Sequence, residues 1–242
     1  MLHKFDHSKK QGNSHISILY PGLELSDNDT GYYSIGRIDQ AHIHGGAVIK
    51  MHPHINDDIL SYFRRGEVKH TDSEGFTEYI TPNRLMLMKA GKLFYHEEAI
   101  LDEQEGLQIF IRPGEKGLKP EVIFQDLKEV HSLDAWRLIA SPDKEKTKLQ
   151  LSSHTWIYDM QATSGKDFSL PEEFSSDYGL IFYVFQGEVT VRGQIPLSKG
   201  DSLFIKDEDI FFKTDSHAEL MLFVTNTTKP YFDGGMYSGN QR

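Results

Sequence analysis

The sequence predicts an all-β protein built from two small antiparallel barrels, and three observations support this prediction. Short runs of β-branched and aromatic residues alternate with clusters of Gly, Pro, Asn and Asp, which is the pattern of many short strands. Helical periodicity is rare, and its best candidate, residues 132–138, is too short to be a major element. Two segments that stand half a chain apart look alike, and a repeat with this period predicts two copies of one barrel.

The repeated segments share one order of features, in which an apolar, aromatic strand runs into Gly-Glu-Val and then into a second strand. The first copy reads ILSYFRRGEVKHTDSEG around Gly66, and the second reads LIFYVFQGEVTVRG around Gly187. Hairpins of this kind suit an antiparallel barrel, which closes and leaves few free edges. We expect residues 1–130 to form an N-terminal barrel and residues 131–242 to form a C-terminal barrel. The Lys-, Glu-, Asp- and Pro-rich segment 113–142 should connect them.

Composition indicates an ordinary folded protein and excludes several kinds of function. Apolar residues make up 38% of the chain, which is enough for a buried core. With 36 acidic and 26 basic residues the net charge is −10, which argues against direct nucleic-acid binding because the surface repels phosphates. Cysteine is absent, so disulfides, thiolate metal ligands and thiol nucleophiles are excluded. Without a signal peptide or a membrane-spanning apolar run, we expect a soluble, cytoplasmic protein with no membrane partner.

Two pairs of side chains form the candidate metal site. His52 and His54 stand in KMHPHIND, and His96 and Glu98 stand in KLFYHEEAI. Residues two apart on a strand point to the same face, so each pair can reach one ion without bending the chain. Three imidazoles and one carboxylate leave an octahedral ion two open positions, which suit a chelating substrate or dioxygen. These ligands fit Fe(II), Mn(II), Ni(II), Co(II), Cu(II) and Zn(II) and do not choose among them.

The residues around these pairs resemble known motifs. One segment resembles the first cupin motif. In it, Gly46 is followed after five residues by His52-x-His54, and after three more residues by Asp58, where that motif usually has Glu. The fuller resemblance is to the pirin family. MHPHINDDILSYFRRGEVKHTDSEG is similar to its His-Pro-His strand, hairpin glycine and His-x-Asp-Ser-x-Gly turn. KAGKLFYHEE resembles its Ala-Gly segment with His-x-Glu, and GLQIFIRPGEKGLKP resembles the segment that closes its first barrel.

The resemblance to pirins implies a fold, a ligand set and two functions of different kinds. It implies two cupin barrels of the jelly-roll, double-stranded β-helix type, with Fe(II) bound by His52, His54, His96 and Glu98 in a monomer. Some family members resemble quercetin 2,3-dioxygenases, which implies an aromatic flavonol substrate and dioxygen. Glu98 would then be the catalytic base as well as a ligand, and ring opening would release carbon monoxide. The alternative is a non-enzymatic metal- or redox-sensing protein that binds a protein partner, and a third option is another metal-dependent enzyme, such as an isomerase.

Other residues near these motifs have plainer interpretations. Asp58 is either an acceptor that orients a ligand imidazole or an ordinary surface acid. Glu97 adjoins Glu98 on the opposite face of the strand and is expected in solvent. His42 and His44 are another two-apart pair and could form an accessory site, but they lack a second pair at suitable spacing, which favours an exposed turn.

The remaining features point to structure rather than to chemistry. His15 lies in the polar N-terminus without an expected role, and His70 belongs to a turn. The second half contains no His-x-His, so we expect the C-terminal barrel to lack a metal site and to provide packing. The glycine-containing tail, residues 225–242, is expected to be a loose extension, with folding over a barrel mouth as the alternative.

Overall fold

The computed structural model describes residues 1–26, 28–171 and 174–242. These residues form strands and one short 3-10 helix, His7–Lys9, and within them no helix has the length and hydropathy needed to cross a membrane. The strands of the first half are β1 (Leu2–Phe5), β2 (Gln11–Gly12), β3 (Ile16–Leu19), β4 (Ile35–Ile43), β5 (Val48–His54), β6 (Asp58–Arg65), β7 (Val68–Asp72), β8 (Thr77–Ile80), β9 (Arg84–Lys89), β10 (Phe94–Ile100), β11 (Gln104–Ile111) and β12 (Glu121–Asp126). Those of the second half are β13 (Arg137–Ser141), β14 (Leu149–Gln150), β15 (Thr155–Thr163), β16 (Asp167–Ser169), β17 (Tyr178–Val191), β18 (Ile195–Ser198), β19 (Ser202–Ile205), β20 (Phe211–Lys213) and β21 (His217–Asn226). The predicted all-β class is confirmed.

The chain divides into two compact units, each built from more than one stretch of sequence. The N-terminal unit comprises Lys10–Val130, Lys148–His154 and Pro230–Arg242. The C-terminal unit comprises Met1–Lys9, His131–Thr147 and Thr155–Lys229. The single boundary between residues 130 and 131 stays a prediction.

The N-terminal unit consists of two antiparallel sheets with a core between them. One sheet has the strand order β5-β10-β7-β8, and the other has the order β12-β9-β6-β11-β4-β3-β2. Side chains from both sheets meet in one apolar cluster, because each strand presents every second residue to the inside. The members of this cluster are Ile59, Phe63, Val68, Ile80, Met86, Met88, Ala90, Phe94, Ile100 and Phe110.

Strand β10 shows how this pattern places the candidate ligands. Its side chains alternate, so that Phe94, His96, Glu98 and Ile100 are buried while Tyr95 is exposed. Two polar residues therefore share the inner face with two core residues. Because an unpaired polar group on such a face is costly, their position between apolar neighbours indicates a specific polar site inside the barrel.

The C-terminal unit is organised around β17, its longest strand. The first half of β17 pairs with β19 and β21, and its second half pairs with β18 and β20, all antiparallel. The first strand of the chain, β1, pairs with β19 in this unit. Its core is apolar and rich in branched and aromatic side chains, among them Leu180, Phe182, Val184, Phe212, Leu220 and Leu222.

The two repeat glycines have the same structural role in the two units. Gly66 and Gly187 both have a φ of 84°. A Cβ atom at Gly66 would lie 2.5 Å from the carbonyl oxygen of Glu103, and one at Gly187 would lie 2.3 Å from that of His217. A positive φ and a close backbone approach both favour glycine. The sequence repeat therefore reflects one hairpin that occurs in each unit.

The structure shows what two segments near the middle of the chain form. Residues 132–138 are not helical, since Leu133 forms a bridge with Gln161 and Arg137 begins β13, which pairs with β15. The segment 113–142 is not only a connection, because β12 lies within it and pairs with β9 in the N-terminal unit. In both places, pairing with a distant strand overrides a weak local pattern.

Candidate metal centre

Three of the four candidate ligands converge inside the N-terminal unit. The Nε2 atom of His54 lies 3.0 Å from that of His52 and 3.0 Å from that of His96, and the latter two are 3.1 Å apart. His54 and His96 are buried, whereas His52 is partly exposed. The three nitrogens thus form a nearly equilateral triangle that is accessible beside His52.

Strand pairing produces this convergence. Strands β5 and β10 are antiparallel neighbours, with His96 opposite His52 and Phe94 opposite His54. Opposite residues of an antiparallel pair share a face, so the two-apart pair of β5 meets that of β10 on the inner side of the sheet. The β5–β10 register shifts between His96 and Glu98, which places Glu98 opposite Ile49.

The dimensions of the triangle fit a metal ion with right-angled coordination. Nitrogen atoms that bind one ion at about 2.1 Å with right angles between them lie about 3.0 Å apart, whereas tetrahedral angles separate them by about 3.4 Å. The observed separations of 3.0 to 3.1 Å match the first value. Three imidazoles on one face of an octahedron leave the opposite face for other ligands.

The Nδ1 atoms face groups that leave each Nε2 free to bind a metal. His52 Nδ1 donates to the carbonyl oxygen of Lys50 at 2.9 Å. His54 Nδ1 faces the carboxylate of Asp57, with 3.6 Å between His54 Nδ1 and Asp57 Oδ2. A proton held on Nδ1 puts the lone pair on Nε2, which is the tautomer that a metal ligand requires.

The third ligand is oriented by a buried chain of groups behind it. His96 Nδ1 lies 3.3 Å from His70 Nδ1, and His70 Nε2 lies 2.7 Å from Asp72 Oδ2. Asp72 can only accept from His70 Nε2–H, so His70 Nδ1 accepts from His96 Nδ1–H. The other oxygen, Asp72 Oδ1, accepts from the backbone N–H groups of Glu74 and Phe76. His70, expected only in a turn, therefore fixes the tautomer of His96.

Burial favours the neutral form of three histidines at the site, His52, His70 and His96. The pKa of His96 lies far below its usual value because of burial and the neighbouring histidines. Burial also lowers the pKa of His52 and of His70, and in His70 the hydrogen bond to Asp72 opposes this shift. Neutral imidazole is the form that binds metals, so these shifts favour a metal site at neutral pH.

Glu98 is buried on the same face of β10 as His96, but its carboxylate lies on the Nδ1 side of His96 and outside the group formed by the three Nε2 atoms. Its Oε1 atom is 4.0 Å from His96 Nδ1, and its two carboxylate oxygens accept from Gln108 Nε2 at 3.0 and 3.3 Å. Burial raises the pKa of Glu98 to about 7, and the Gln108 hydrogen bond only partly opposes that shift. In the described geometry its carboxylate is thus held by Gln108, next to the imidazole cluster.

The metal-free protein should reveal this buried carboxyl through its pH-dependent stability. The pKa of Glu98 is about 7 in the folded state, against 4.5 for an ordinary exposed glutamate. Glu98 therefore stabilises the fold fully only at low pH and loses this contribution as pH rises through 7. Relative to a Glu98→Gln variant, the wild type should lose about 2 to 3 kcal/mol of unfolding free energy between about pH 5 and about pH 8.

Urea unfolding of both metal-free proteins at the two pH values measures this difference. Glu97→Gln is the matched control, since Glu97 lies on the other face of the strand and is not fully buried. A difference between the wild type and Glu98→Gln that does not change with pH would contradict the buried, proton-binding role of Glu98.

The C-terminal tail packs directly against the imidazole cluster. The Tyr237 ring lies 5.0 Å from the His54 ring and 5.8 Å from the Phe110 ring, and the Arg37 guanidinium lies over Tyr237. Asp57 accepts from the backbone N–H groups of Tyr237 and Ser238. This part of the tail is therefore not the loose extension that was expected.

Several other sequence expectations change at this site. Asp58 is neither a surface acid nor the acceptor for a ligand imidazole, because it is buried and accepts from Ser152 N and Oγ at 3.0 and 2.6 Å. Its neighbour Asp57 faces His54 instead. Sequence reasoning did not identify Asp57, Gln108 or the orienting role of His70. The alternation of buried residues along β7 could have indicated His70, whereas Gln108 carries no local signal.

The accessory pair is exposed and has gained a partner. His42 and His44 lie at the end of β4 and just after it, and the Nε2 atom of His42 is 2.7 Å from Glu103 Oε1. Both side chains are exposed, as expected, but His42 lies within β4 rather than in a turn, and Glu103 supplies a carboxylate close to it.

Comparisons with known proteins identify the families that this chain resembles. The model of the pirin family matches residues 6–111, and that of the quercetinase C-terminal cupin domain matches residues 138–224. A quercetin 2,3-dioxygenase of Escherichia coli strain K12 is 28% identical over 200 residues, covering 81% of this chain and 84% of that protein.

Solved structures show the same fold. The crystal structure of YhhW from Escherichia coli superimposes with a TM-score of 0.80 at 25% identity, covering 93% of this chain and 97% of that one. A structure of bacterial pirin YhhW in complex with nickel(II) superimposes with a TM-score of 0.79 at 23% identity, covering 93% and 99%. The prediction of two cupin barrels is confirmed.

Proposed function

Because this chain belongs to the pirin family of double-cupin proteins, we propose that it is a metal-dependent dioxygenase that opens flavonol-type rings. The proposed ligands of its single divalent metal are His52, His54, His96 and Glu98. The observation that carries the proposal is the convergence of three Nε2 atoms at 3.0 to 3.1 Å, a spacing that suits one octahedral ion. The 28% identical Escherichia coli relative, described as a quercetin 2,3-dioxygenase, supports the substrate class.

Glu98 is proposed to serve both as ligand and as base. Three neutral imidazoles bring no negative charge, so a divalent cation among them favours a carboxylate ligand. Glu98 is buried on the same face of β10 as His96, where its carboxylate can accept a proton from a substrate hydroxyl. Gln108 donates to this carboxylate and is proposed to orient it toward the hydroxyl proton of the substrate.

The metal would supply Lewis acidity and a common binding point for the substrate enolate and dioxygen. The polypeptide contributes the surroundings of that point. Buried aromatic side chains, including Phe94 and Phe110, lie next to the imidazoles and reduce the access of water. In the overall reaction both atoms of dioxygen enter the ring-opened product, and one carbon atom of the substrate leaves as carbon monoxide.

The enclosed space beside Glu98 restricts where a substrate can bind. A cavity lined by Glu98, Gln108, Asp39 and Phe63, among others, measures about 30 Å³. This volume holds about one water molecule, so a fused aromatic ring system does not fit there. We propose that the flavonol approaches from the partly exposed side at His52, while the cavity holds a small molecule such as water.

The test is aerobic turnover of quercetin by the full chain, purified without an affinity tag and loaded in turn with Fe(II), Mn(II), Ni(II) and Cu(II). We expect loss of quercetin together with carbon monoxide release in at least one metal form. His52→Ala and Glu98→Ala should each lower the rate by at least about 100-fold, because each removes a proposed ligand. His217→Asn, a change to an exposed histidine of the C-terminal unit, should leave the rate unchanged.

Metal content, measured on the same samples, separates the alternatives. Full occupancy without turnover of any flavonol would reject the dioxygenase proposal and favour a metal- or redox-sensing protein or another metal-dependent enzyme. Failure of every metal to bind would reject the metal site itself. Fe(II) as the resident metal is part of the proposal, and a monomeric, cytoplasmic protein stays a prediction.

A further inference from the structure

A second cluster of metal-binding side chains lies at the surface of the N-terminal unit. It consists of His42, His44 and Glu103, whose ligand atoms all lie within 4.8 Å of one another. Both imidazoles are exposed, in contrast to the buried His54 and His96 of the cupin centre. The two clusters share no residue.

Backbone contacts hold the two parts of this cluster together. Strand β11 pairs with β4 so that Gln104 lies opposite Ile43, which brings the turn before β11 beside the end of β4. The N–H of Gly46 donates to the carbonyl oxygen of Ile100 at 2.8 Å. A Cβ atom at Gly45 would lie 2.9 Å from the Cα of Asp102, so the two segments pack closely. His42 lies in β4, and His44 and Glu103 directly adjoin the ends of the paired strands β4 and β11, so the backbone limits how far the three residues can separate.

The side chains already approach one another. His42 Nε2 lies 2.7 Å from Glu103 Oε1, and the rings of His42 and His44 have their centroids 5.8 Å apart. The ring of His15 lies 5.9 Å from that of His44, and the carbonyl oxygen of His15 accepts from the His42 N–H at 2.7 Å. Two imidazoles and a carboxylate, with another imidazole nearby, are the ligand types of borderline divalent metals.

One cation competes with a metal at this position. Arg65 Nη2 lies 3.0 Å from Glu103 Oε2, which leaves the other carboxylate oxygen directed toward His42. The hydrogen bond from His42 and the charge of Arg65 lower the pKa of Glu103, so the carboxylate is charged at neutral pH. Arg65 is exposed, so its repulsion of a bound cation is screened by solvent and weakens the site without closing it.

We propose that His42, His44 and Glu103 form a second metal site, open to solvent, that binds a borderline divalent cation such as Zn(II) independently of the cupin centre. Exposed imidazoles need only small rotations to direct one nitrogen each at a common ion. Water fills the remaining positions, or His15 takes one of them. The proposal does not depend on the dioxygenase reaction, because it concerns different residues.

The test is calorimetric titration of Zn(II) into the untagged full chain and four variants. The His42→Asn/His44→Asn protein should bind one equivalent fewer than the wild type. His96→Ala should lose the cupin equivalent and keep the surface one, and the combined variant should lose both. His217→Asn, which changes an exposed histidine elsewhere, should bind as the wild type does. Circular dichroism checks that each variant is folded.

Two further variants distinguish a built site from a pair of surface histidines. Glu103→Gln should weaken the surface equivalent by about tenfold or more, because it removes the anionic ligand. Arg65→Met should strengthen it, because it removes the competing cation. Equal Zn(II) uptake by the wild type and His42→Asn/His44→Asn would overturn the proposal, and so would a surface equivalent insensitive to both Glu103→Gln and Arg65→Met.

Discussion

Replacing His96 with alanine is expected to abolish specific metal binding at the cupin centre. The Nε2 atom of His96 lies 3.0 and 3.1 Å from those of His54 and His52, and it is the only contribution of β10 to the triangle. Removal of a group behind a ligand costs about 10- to 100-fold in metal affinity, so removal of the ligand itself should cost more than about 100-fold. The remaining pair on β5 cannot define three right-angled positions.

Titration with Ni(II) measures this loss best in proteins that carry His42→Asn and His44→Asn, so that only the cupin centre binds. Denaturation adds an independent readout. At a Ni(II) concentration of about 100 times the dissociation constant of the parent protein, the unfolding free energy of the parent should rise by about 2.7 kcal/mol. The unfolding free energy of the His96→Ala protein should stay nearly the same. His70→Phe should fall between them, because it removes the acceptor that fixes the tautomer of His96 but keeps the ligand. Undiminished Ni(II) affinity of His96→Ala would refute the proposed centre.

Replacing Asp57 with alanine is expected to destabilise the fold and the metal site together. The fully buried carboxylate of Asp57 accepts from Ser238 N at 2.8 Å, from Ser238 Oγ at 2.7 Å and from Tyr237 N at 3.2 Å. Without it, three donors lose their acceptor next to the His54 ring. Each buried donor left unpaired costs about 1 to 3 kcal/mol, so the unfolding free energy should fall by about 3 kcal/mol or more.

Loss of the acceptor should also release the tail and reduce metal affinity. We expect faster proteolysis near residue 237 and a metal affinity about 10- to 100-fold lower in the folded protein, because the carboxylate facing His54 Nδ1 is gone. Ser238→Ala is the matched control, since it removes one hydroxyl hydrogen bond and should cost only about 1 kcal/mol. A loss from Asp57→Ala no larger than that from Ser238→Ala would show that the tail is not held through Asp57.

The sequence alone points to His96 as a ligand, but it does not point to Asp57. The inner face of β10 follows from strand geometry, because residues two apart share a face whatever surrounds the strand. His52, His54 and His96 could therefore be chosen from their spacing, and the structure brings their Nε2 atoms together. Glu98 follows from the same rule, whereas its contact with Gln108 depends on how the two sheets face each other, because Gln108 lies on the next strand, β11, which belongs to the other sheet.

Other assignments could not be made from local pattern. Asp57 and Asp58 are adjacent in sequence, and nothing local tells which one faces a ligand. Asp57 accepts hydrogen bonds from backbone donors of the tail, about 180 residues away in the sequence, whereas Asp58 accepts one from Ser152. In the same way, Glu103 meets His42 only because β11 pairs with β4.

The sequence alone determined the all-β class, the repeated hairpin and which side chains on each strand face inward, since these depend on a two-residue period and on glycine conformation. Only the tertiary structure decided which strands became neighbours, and hence that β5 meets β10 with His52 opposite His96. It also decided that the tail covers His54 through Tyr237. The physical reason is that long-range pairing is fixed by the packing of the whole barrel, which no single segment encodes.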